Sequence, residues 1–134
     1  MFITGFVCAM SFSGPCLNKF ITPVGPIILP LVNVSMSCTS IPNVPNIFVG
    51  GLLGQNLLTL TPFSMGSEVS APFGGGVMSQ MFCSFSRNLF GSFKVFQAGA
   101  PVIRFLDPTG QNGEIPNSFG ITITMGIFNR LVMT

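Results

Sequence analysis

No charged side chain occurs between Lys19 and Glu68, and these 48 residues would be long enough to cross a bilayer twice. Proline decides against that. Pro23, Pro26, Pro30, Pro42 and Pro45 interrupt the run, and Gly50, Gly51 and Gly54 follow. A spanning helix needs about 20 mostly apolar residues with every backbone group bonded internally. The one window free of both proline and polar clusters, residues 47–60, is too short. The stretch before Lys19 has no basic start, and Ser11, Ser13, Gly14 and Pro15 break its apolar run, so it does not read as a secretory leader. The chain is expected to be made in the cytoplasm.

Only 8 of 134 residues are charged, five Lys/Arg and three Asp/Glu, against a usual share of about 25%. A disordered chain would be polar and charged. A nucleic-acid binder would carry a basic footprint, which is absent here, so no nucleic-acid partner is expected. An ordinary soluble monomer needs more charge to keep its surface hydrated. Something is therefore expected to cover much of the surface, and the N-terminal half, whose first 67 residues carry only Lys19, is expected to be either core or covered by partner chains.

The length favours one domain over residues 1–134. No window shows the 3.6-residue apolar stripe of a helix. Short β-branched stretches recur instead, at residues 46–49, 94–98, 121–125 and 127–133. Clusters of Gly, Pro, Asn and Ser separate them, including Gly74-Gly75-Gly76, residues 107–113 and Pro116-Asn117-Ser118. The pattern predicts an all-β fold with frequent turns and with the 15 Phe residues spread through its core. A faint repeat accompanies it. Residues 47–51 match 95–99 at an offset of 48, and the segment from Ser67-Glu68 to Gly74 resembles that from Gly113-Glu114 to Gly120.

Candidate chemistry is sparse. Without His there is no Ser/His/Asp set, and a Cys nucleophile lacks its usual base, so no enzyme activity is expected. Gly74-Gly75-Gly76 lacks the Lys-Ser/Thr ending of a phosphate loop and is read as permitting positive φ or close backbone approach. Cys8, Cys16, Cys38 and Cys83 fit no zinc-finger spacing. Three readings of them stay open: buried thiols, disulfides, or a four-thiolate site holding a Zn or Fe ion.

At Gly99-Ala100-Pro101-Val102-Ile103-Arg104 the chain resembles the PAAR-like spike-tip family, with Pro101 and Arg104 matching the outer letters of the family's name motif. Other elements follow in the family's order: Phe12 to Cys16, the proline-rich stretch from Thr22 to Asn33, Asn56-Leu57, Gly66-Ser67-Glu68, residues 75–79, Ser86 to Ser92, and Gln111-Asn112. The resemblance runs over about residues 8 to 133. It implies a small cone of β-hairpins with pseudo-three-fold symmetry that caps the trimeric β-helical spike of a contractile injection machine, one tip per three chains. Such machines include type VI secretion systems, contractile phage tails and released particles. The tip would meet the target membrane transiently and be delivered outside the cell. A separate effector, recruited by the tip, is a further partner the family implies.

The resemblance also implies a metal site near the apex built from His and Cys. Here Gln55 and Asn88 stand where the family often has His, and Cys16 is the position that could be inherited, with Cys8, Cys38 and Cys83 converging on it. Arg104, after Gly99 and Pro101, is read as a clamp on loop carbonyls or as a partner contact. A small membrane-active protein is the rival reading from another class, which the prolines and the β-pattern oppose.

Overall fold

A two-residue turn at Pro23-Val24 closes the longest element of the structure, an antiparallel hairpin of β1 (Met10–Thr22) and β2 (Gly25–Met36). Proline presets the first turn position, and Thr22 Oγ1 donates to the Gly25 carbonyl at 2.7 Å. The computed structural model describes residues 1–41, 44–124 and 130–132. The remaining strands are short: β3 (Val44–Val49), β4 (Leu52–Gly54), β5 (Leu60–Thr61), β6 (Ser64–Met65), β7 (Ser86–Asn88), β8 (Phe96–Gln97), β9 (Ala100–Pro101), β10 (Pro108–Gln111) and β11 (Ser118–Thr122). Two 3-10 turns, Ser37–Thr39 and Glu68–Phe73, complete the described elements. The chain is all-β.

Seven strands form one antiparallel sheet in the order β5-β7-β10-β11-β1-β2-β6. Its two edge strands, β5 and β6, are separated in the chain only by Pro62 and Phe63. Three residue steps span at most about 11 Å, so the edges must meet and the sheet curls into a nearly closed barrel. Ser64 seals the seam, donating both its backbone N–H and its hydroxyl to the Ser84 carbonyl, at 2.9 and 2.7 Å.

The barrel is lined with hydroxyls. Ser35 on β2 donates across it to Ser86 on β7 at 3.1 Å. Ser11 meets Thr122 at 3.1 Å, Ser13 meets Ser118 at 2.9 Å, and Ser40 meets Thr61 at 2.7 Å. Among the described residues, 10 buried side chains are hydrophobic and 23 are polar or charged. Large apolar residues sit outside instead: Phe48, Phe63, Phe93 and Phe119 are all more than 60% exposed. The expected phenylalanine core is overturned, since Phe20 is the one Phe in the buried hydrophobic set. The alternation at 121–123 is real but inverted, with Thr122 buried and Ile121 and Ile123 exposed. A small, tightly closed barrel has an interior only wide enough for short side chains, and Ser and Thr fill it while bonding one another. The hydrophobic cluster lies elsewhere, where Ile3, Val49, Val102 and Val132 pack together with Val7 and Ile47 against them.

Other expectations fare unevenly. Residues 46–49 lie within β3, but only Phe96 and Gln97 of residues 94–98 form a strand. The 121–125 strand ends at Thr122, and Met125 lies outside the described residues. Of the expected 127–133 strand, 127–129 and 133 also lie outside; Leu131 bridges Phe2. The 47–51 and 95–99 repeat corresponds to two matching hairpins. Gly50-Gly51 turns β3 into β4 with φ of 63° and 84°, and Ala98-Gly99 turns β8 into β9 with φ of 50° and 81°. Both central residues at positive φ are what a type I′ turn requires. The hairpins touch: Asn56, just after β4, donates Nδ2 to the Gln97 carbonyl at 3.2 Å. The second half of the repeat does not correspond, because 68–73 is a 3-10 turn and 118–122 a strand.

The distal part of the β1–β2 hairpin projects as an uncharged finger. Val24 at its tip is 99% exposed, and Ile21, Ile27, Ile28 and Leu29 are exposed behind it. Lys19 N–H donates outward to the Gly75 carbonyl at 3.0 Å, so the Lys19–Ile28 pair is a non-hydrogen-bonded one. The same parity turns the outer edge of β2 toward positions 26, 28 and 30, and two of these are proline. Without N–H groups at Pro26 and Pro30, that edge cannot template another strand. Replacing both, as Pro26→Val with Pro30→Val, is expected to raise self-association at least several-fold with the monomer fold retained. Analytical ultracentrifugation checks this, and an unchanged monomer fraction would refute the guarding role.

A buried sulfur ringed by four amides

Strand β1 carries a bulge at Gly14-Pro15, where its register against β2 shifts between Ser13 and Cys16. Proline cannot continue the ladder, and the extra residue resets the inward parity. Before the bulge Ser13 points in; after it Cys16, Asn18 and Phe20 do. A regular strand would have turned Cys16 outward.

Cys16 is fully buried, and four side-chain amides aim Nδ2 at its sulfur. Asn117 approaches to 3.0 Å, Asn33 to 3.3 Å, Asn18 to 3.5 Å and Asn112 to 3.6 Å. Three of the amides are held by further side-chain bonds, while Asn33 Oδ1 is buried without a partner among the described residues. Asn117 Nδ2 also donates to the Leu17 carbonyl at 2.8 Å, and its Oδ1 accepts the Met78 N–H at 2.9 Å. Asn112 sits at φ 67°, donates to the Met81 carbonyl at 2.9 Å and accepts the Ser84 N–H at 3.2 Å. Asn18 Oδ1 accepts the Ser70 hydroxyl from the 3-10 turn at 3.3 Å. The Gly74-Gly75-Gly76 run provides the clearance. A Cβ on Gly75 would lie 2.5 Å from the Met81 carbonyl oxygen, and one on Gly76 2.6 Å from the Asn117 amide. The cage thus ties β1, β2, the 3-10 turn, the glycine run and both ends of the β10–β11 connection to one atom.

Amide N–H groups offer protons to sulfur rather than lone pairs to a cation, so this donor set does not fit a Zn or Fe ion. The four cysteines do not converge, and no group of three metal-ligating His, Cys, Asp or Glu side chains forms among the described residues. Cys8 and Cys38 lie together at the foot of the hairpin, and contact with Cys38 raises the pKa of Cys8 above the usual thiol range. Cys83 lies beside Glu68; burial first, then the Glu68 carboxylate, pushes its thiol up. The Glu68 carboxyl is held below its ordinary range by the backbone N–H groups of Glu68 and Gly66. Gln55 and Asn88 line a separate small cavity inside the barrel with Ser35, Ser86 and Thr109, so they do not share the environment of Cys16.

Arg104 and Asp107 form the one salt bridge among the described residues, at 3.0 Å and with both side chains largely buried. Asp107 Oδ2 also accepts the Arg104 backbone N–H at 2.8 Å, and the Arg104 guanidinium donates to the Gly91 carbonyl at 3.3 Å. Arg104 thus clamps the loop, and its planar guanidinium serves the Asp107 carboxylate and the Gly91 carbonyl at once. Gly99 occupies the β8–β9 turn, and Pro101 lies in β9 opposite Phe96.

Of the cage asparagines, Asn112 and Asn117 fall in clusters read in the sequence as turns, Asn33 ends the proline-rich stretch, and Asn18 stands in no motif. Asn112 and Asn33 carried a signal, since both fall on elements of the family's order; Asn18 and Asn117 carried none.

Replacing Cys16 by Ala leaves four buried amides without their acceptor and is expected to destabilise the fold by about 3 kcal/mol. Cys16→Ser, which keeps an acceptor, is expected to cost about half that. Urea unfolding of the two variants checks the order, and equal losses would show that volume rather than hydrogen bonding matters at the site.

No helix among the described residues is long and apolar enough to cross a membrane. A family model described as a toxin PAAR-like domain matches residues 10–118, most of the chain and the whole amide cage. No curated protein and no solved structure matches the chain.

Proposed function

The chain belongs to the toxin PAAR-like domain family, and on that premise we propose that it is a spike tip, capping the trimeric β-helical spike of a contractile injection machine with one copy per three spike chains. The observation that carries this reading is the inverted polarity of the barrel. Its core is lined with hydroxyls, many of which bond one another while those of Thr4 and Thr109 have no partner among the described residues, and its large apolar side chains face outward. Isolated apolar residues on a surface need no explanation, but a nearly uncharged surface rich in exposed Phe, Ile, Leu and Met marks a covered one. A spike end that buried about 800 Å² of it would supply a standard interface.

The outer face of β1 and β11 suits that contact. Phe12, Phe119 and Ile121 line a shallow apolar groove there with Pro108, Gly14 and Gly120. A Cβ on Gly120 would lie 2.2 Å from the Phe12 carbonyl oxygen, which fixes β11 hard against β1 beneath the groove. The finger bearing Val24 is then the part left to lead. Its lack of charge lowers the desolvation cost of entering a target bilayer. The protein acts mechanically in this reading: it is made in the cytoplasm, assembled at the spike apex and carried out of the cell. A separate effector could ride with it.

Native mass spectrometry of the chain purified with its trimeric spike protein is expected to give one tip per three spike chains. Phe119→Asp is expected to abolish the complex while the free protein keeps its unfolding midpoint. A lone chain or a homo-oligomer in detergent would overturn the reading. Adding charge to the finger, as Val24→Asp with Ile27→Lys, is expected to leave the 1:3 complex intact and to lower delivery at least tenfold; undiminished delivery would remove the bilayer argument.

A further inference from the structure

The register of the hairpin continues past its first pair. Ser11 faces Ser35 and Met10 faces Met36 in β1 and β2. One step further, Ser37 N–H donates to the Ala9 carbonyl at 2.8 Å, and Ala9 N–H donates to the Ser37 hydroxyl at 2.8 Å. Beyond this the ladder stops: Ser37–Thr39 is a 3-10 turn, the Ser37 carbonyl accepts from Ser40 rather than from Ala9, and Cys8 sits at φ 35°. Cys8 and Cys38 each directly flank the doubly bonded Ala9–Ser37 pair, which brings both thiols to the same end of the hairpin. Both thiols are free in this structure, Cys8 is exposed and Cys38 half-buried, so an oxidant can reach the pair. Contact between the two side chains agrees with this placement. Cys16, by contrast, is sealed in its amide cage, and Cys83 lies against Ser67 and Glu68.

We propose that Cys8 and Cys38 are a disulfide-forming pair that closes the foot of the β1–β2 hairpin when the protein meets an oxidising environment. The co-reactant is a small or protein disulfide. One thiolate, that of exposed Cys8, attacks a sulfur of the oxidant; the oxidant's S–S bond breaks and its other half leaves as a thiol. Cys38 then attacks the Cys8 sulfur of the mixed disulfide, the Cys8–Cys38 bond forms, and the second half of the oxidant leaves as a thiol. Two protein thiols are oxidised, one disulfide is reduced to two thiols, and both protons end on the products. The result is a covalent ring running from residue 8 through the finger to residue 38. It also fastens the N-terminal segment, whose other ties include backbone bonds from Ile3 to Arg130, from Thr4 to Ile103 and from Phe6 to Leu53. The chemistry does not depend on the spike-tip reading; that reading supplies only the occasion, passage from a reducing to an oxidising compartment.

The test equilibrates the folded full-length chain in glutathione buffers of rising disulfide content, with acid quench, alkylation and peptide mass mapping. The expected result is a loss of two hydrogens, a crosslinked peptide joining Cys8 to Cys38, and Cys16 and Cys83 recovered alkylated after denaturation. Cys8→Ser is expected to abolish the crosslink and leave Cys38 as a glutathione adduct or a free thiol. Hydrogen exchange at residues 8–10 and 36–38 is expected to slow about tenfold on oxidation. Separate glutathione adducts on Cys8 and Cys38, two free thiols at every ratio, or a crosslink to Cys16 or Cys83 would each overturn the proposal. None of these outcomes bears on spike binding, which the 1:3 mass measures independently.

Discussion

Four asparagine amides share one sulfur atom, and that arrangement exists because Gly14 and Pro15 displace the register of a single strand. The bulge turns Cys16 inward, and the inward sulfur then offers a common acceptor to residues up to 101 positions away in the chain. Each amide is fixed at its other atoms or its backbone by further bonds, so the cage cannot relax around a missing partner. Buried polar networks of this kind are costly when incomplete and specific when complete. In a domain with a small hydrophobic cluster, the network takes over the task of selecting one packing from several.

The barrel applies the same principle on a larger scale. Five short strands and the long β1–β2 hairpin curl until the sheet's edges are joined by a two-residue link, and the space enclosed suits Ser and Thr. Hydroxyl pairs such as Ser35–Ser86 and Ser13–Ser118 bond across that space, where a Leu or Phe would not fit. The apolar side chains of the same strands therefore face outward. Outward hydrophobics are a hazard for a free-standing domain, and the finger handles one part of that hazard by placing Pro26 and Pro30 on its open edge. The rest of the surface is of the kind that a partner covers.

The metal expected from the family has no fitting donor set at Cys16, and the physical reason is local. A metal site needs lone pairs converging on a point, whereas the amides here converge protons on it. At Cys16 several chain segments are held together by hydrogen bonds to sulfur. Cys8 and Cys38 belong to a different part of the molecule, where the hairpin begins and where a covalent tie would reinforce the same segments from the other end.

Much of the architecture was legible in the residues. Proline and glycine spacing excluded helices, β-branched stretches indicated short strands, and the 48-residue repeat marked two hairpins with the same turn, at Gly50-Gly51 and Ala98-Gly99. These are local properties, set by φ restrictions and by turn geometry. The polarity of the barrel was not legible, because period-2 alternation at Ile121-Thr122-Ile123 says only that two faces differ, not which one is enclosed. Nor was the cage, since Asn18, Asn33, Asn112 and Asn117 come together only once the strands are paired. By itself the sequence determined an all-β chain of hairpins with a nearly uncharged surface. Only tertiary structure decided what lies inside, because the width of a closed sheet and the register set by one bulge are properties of strands brought together.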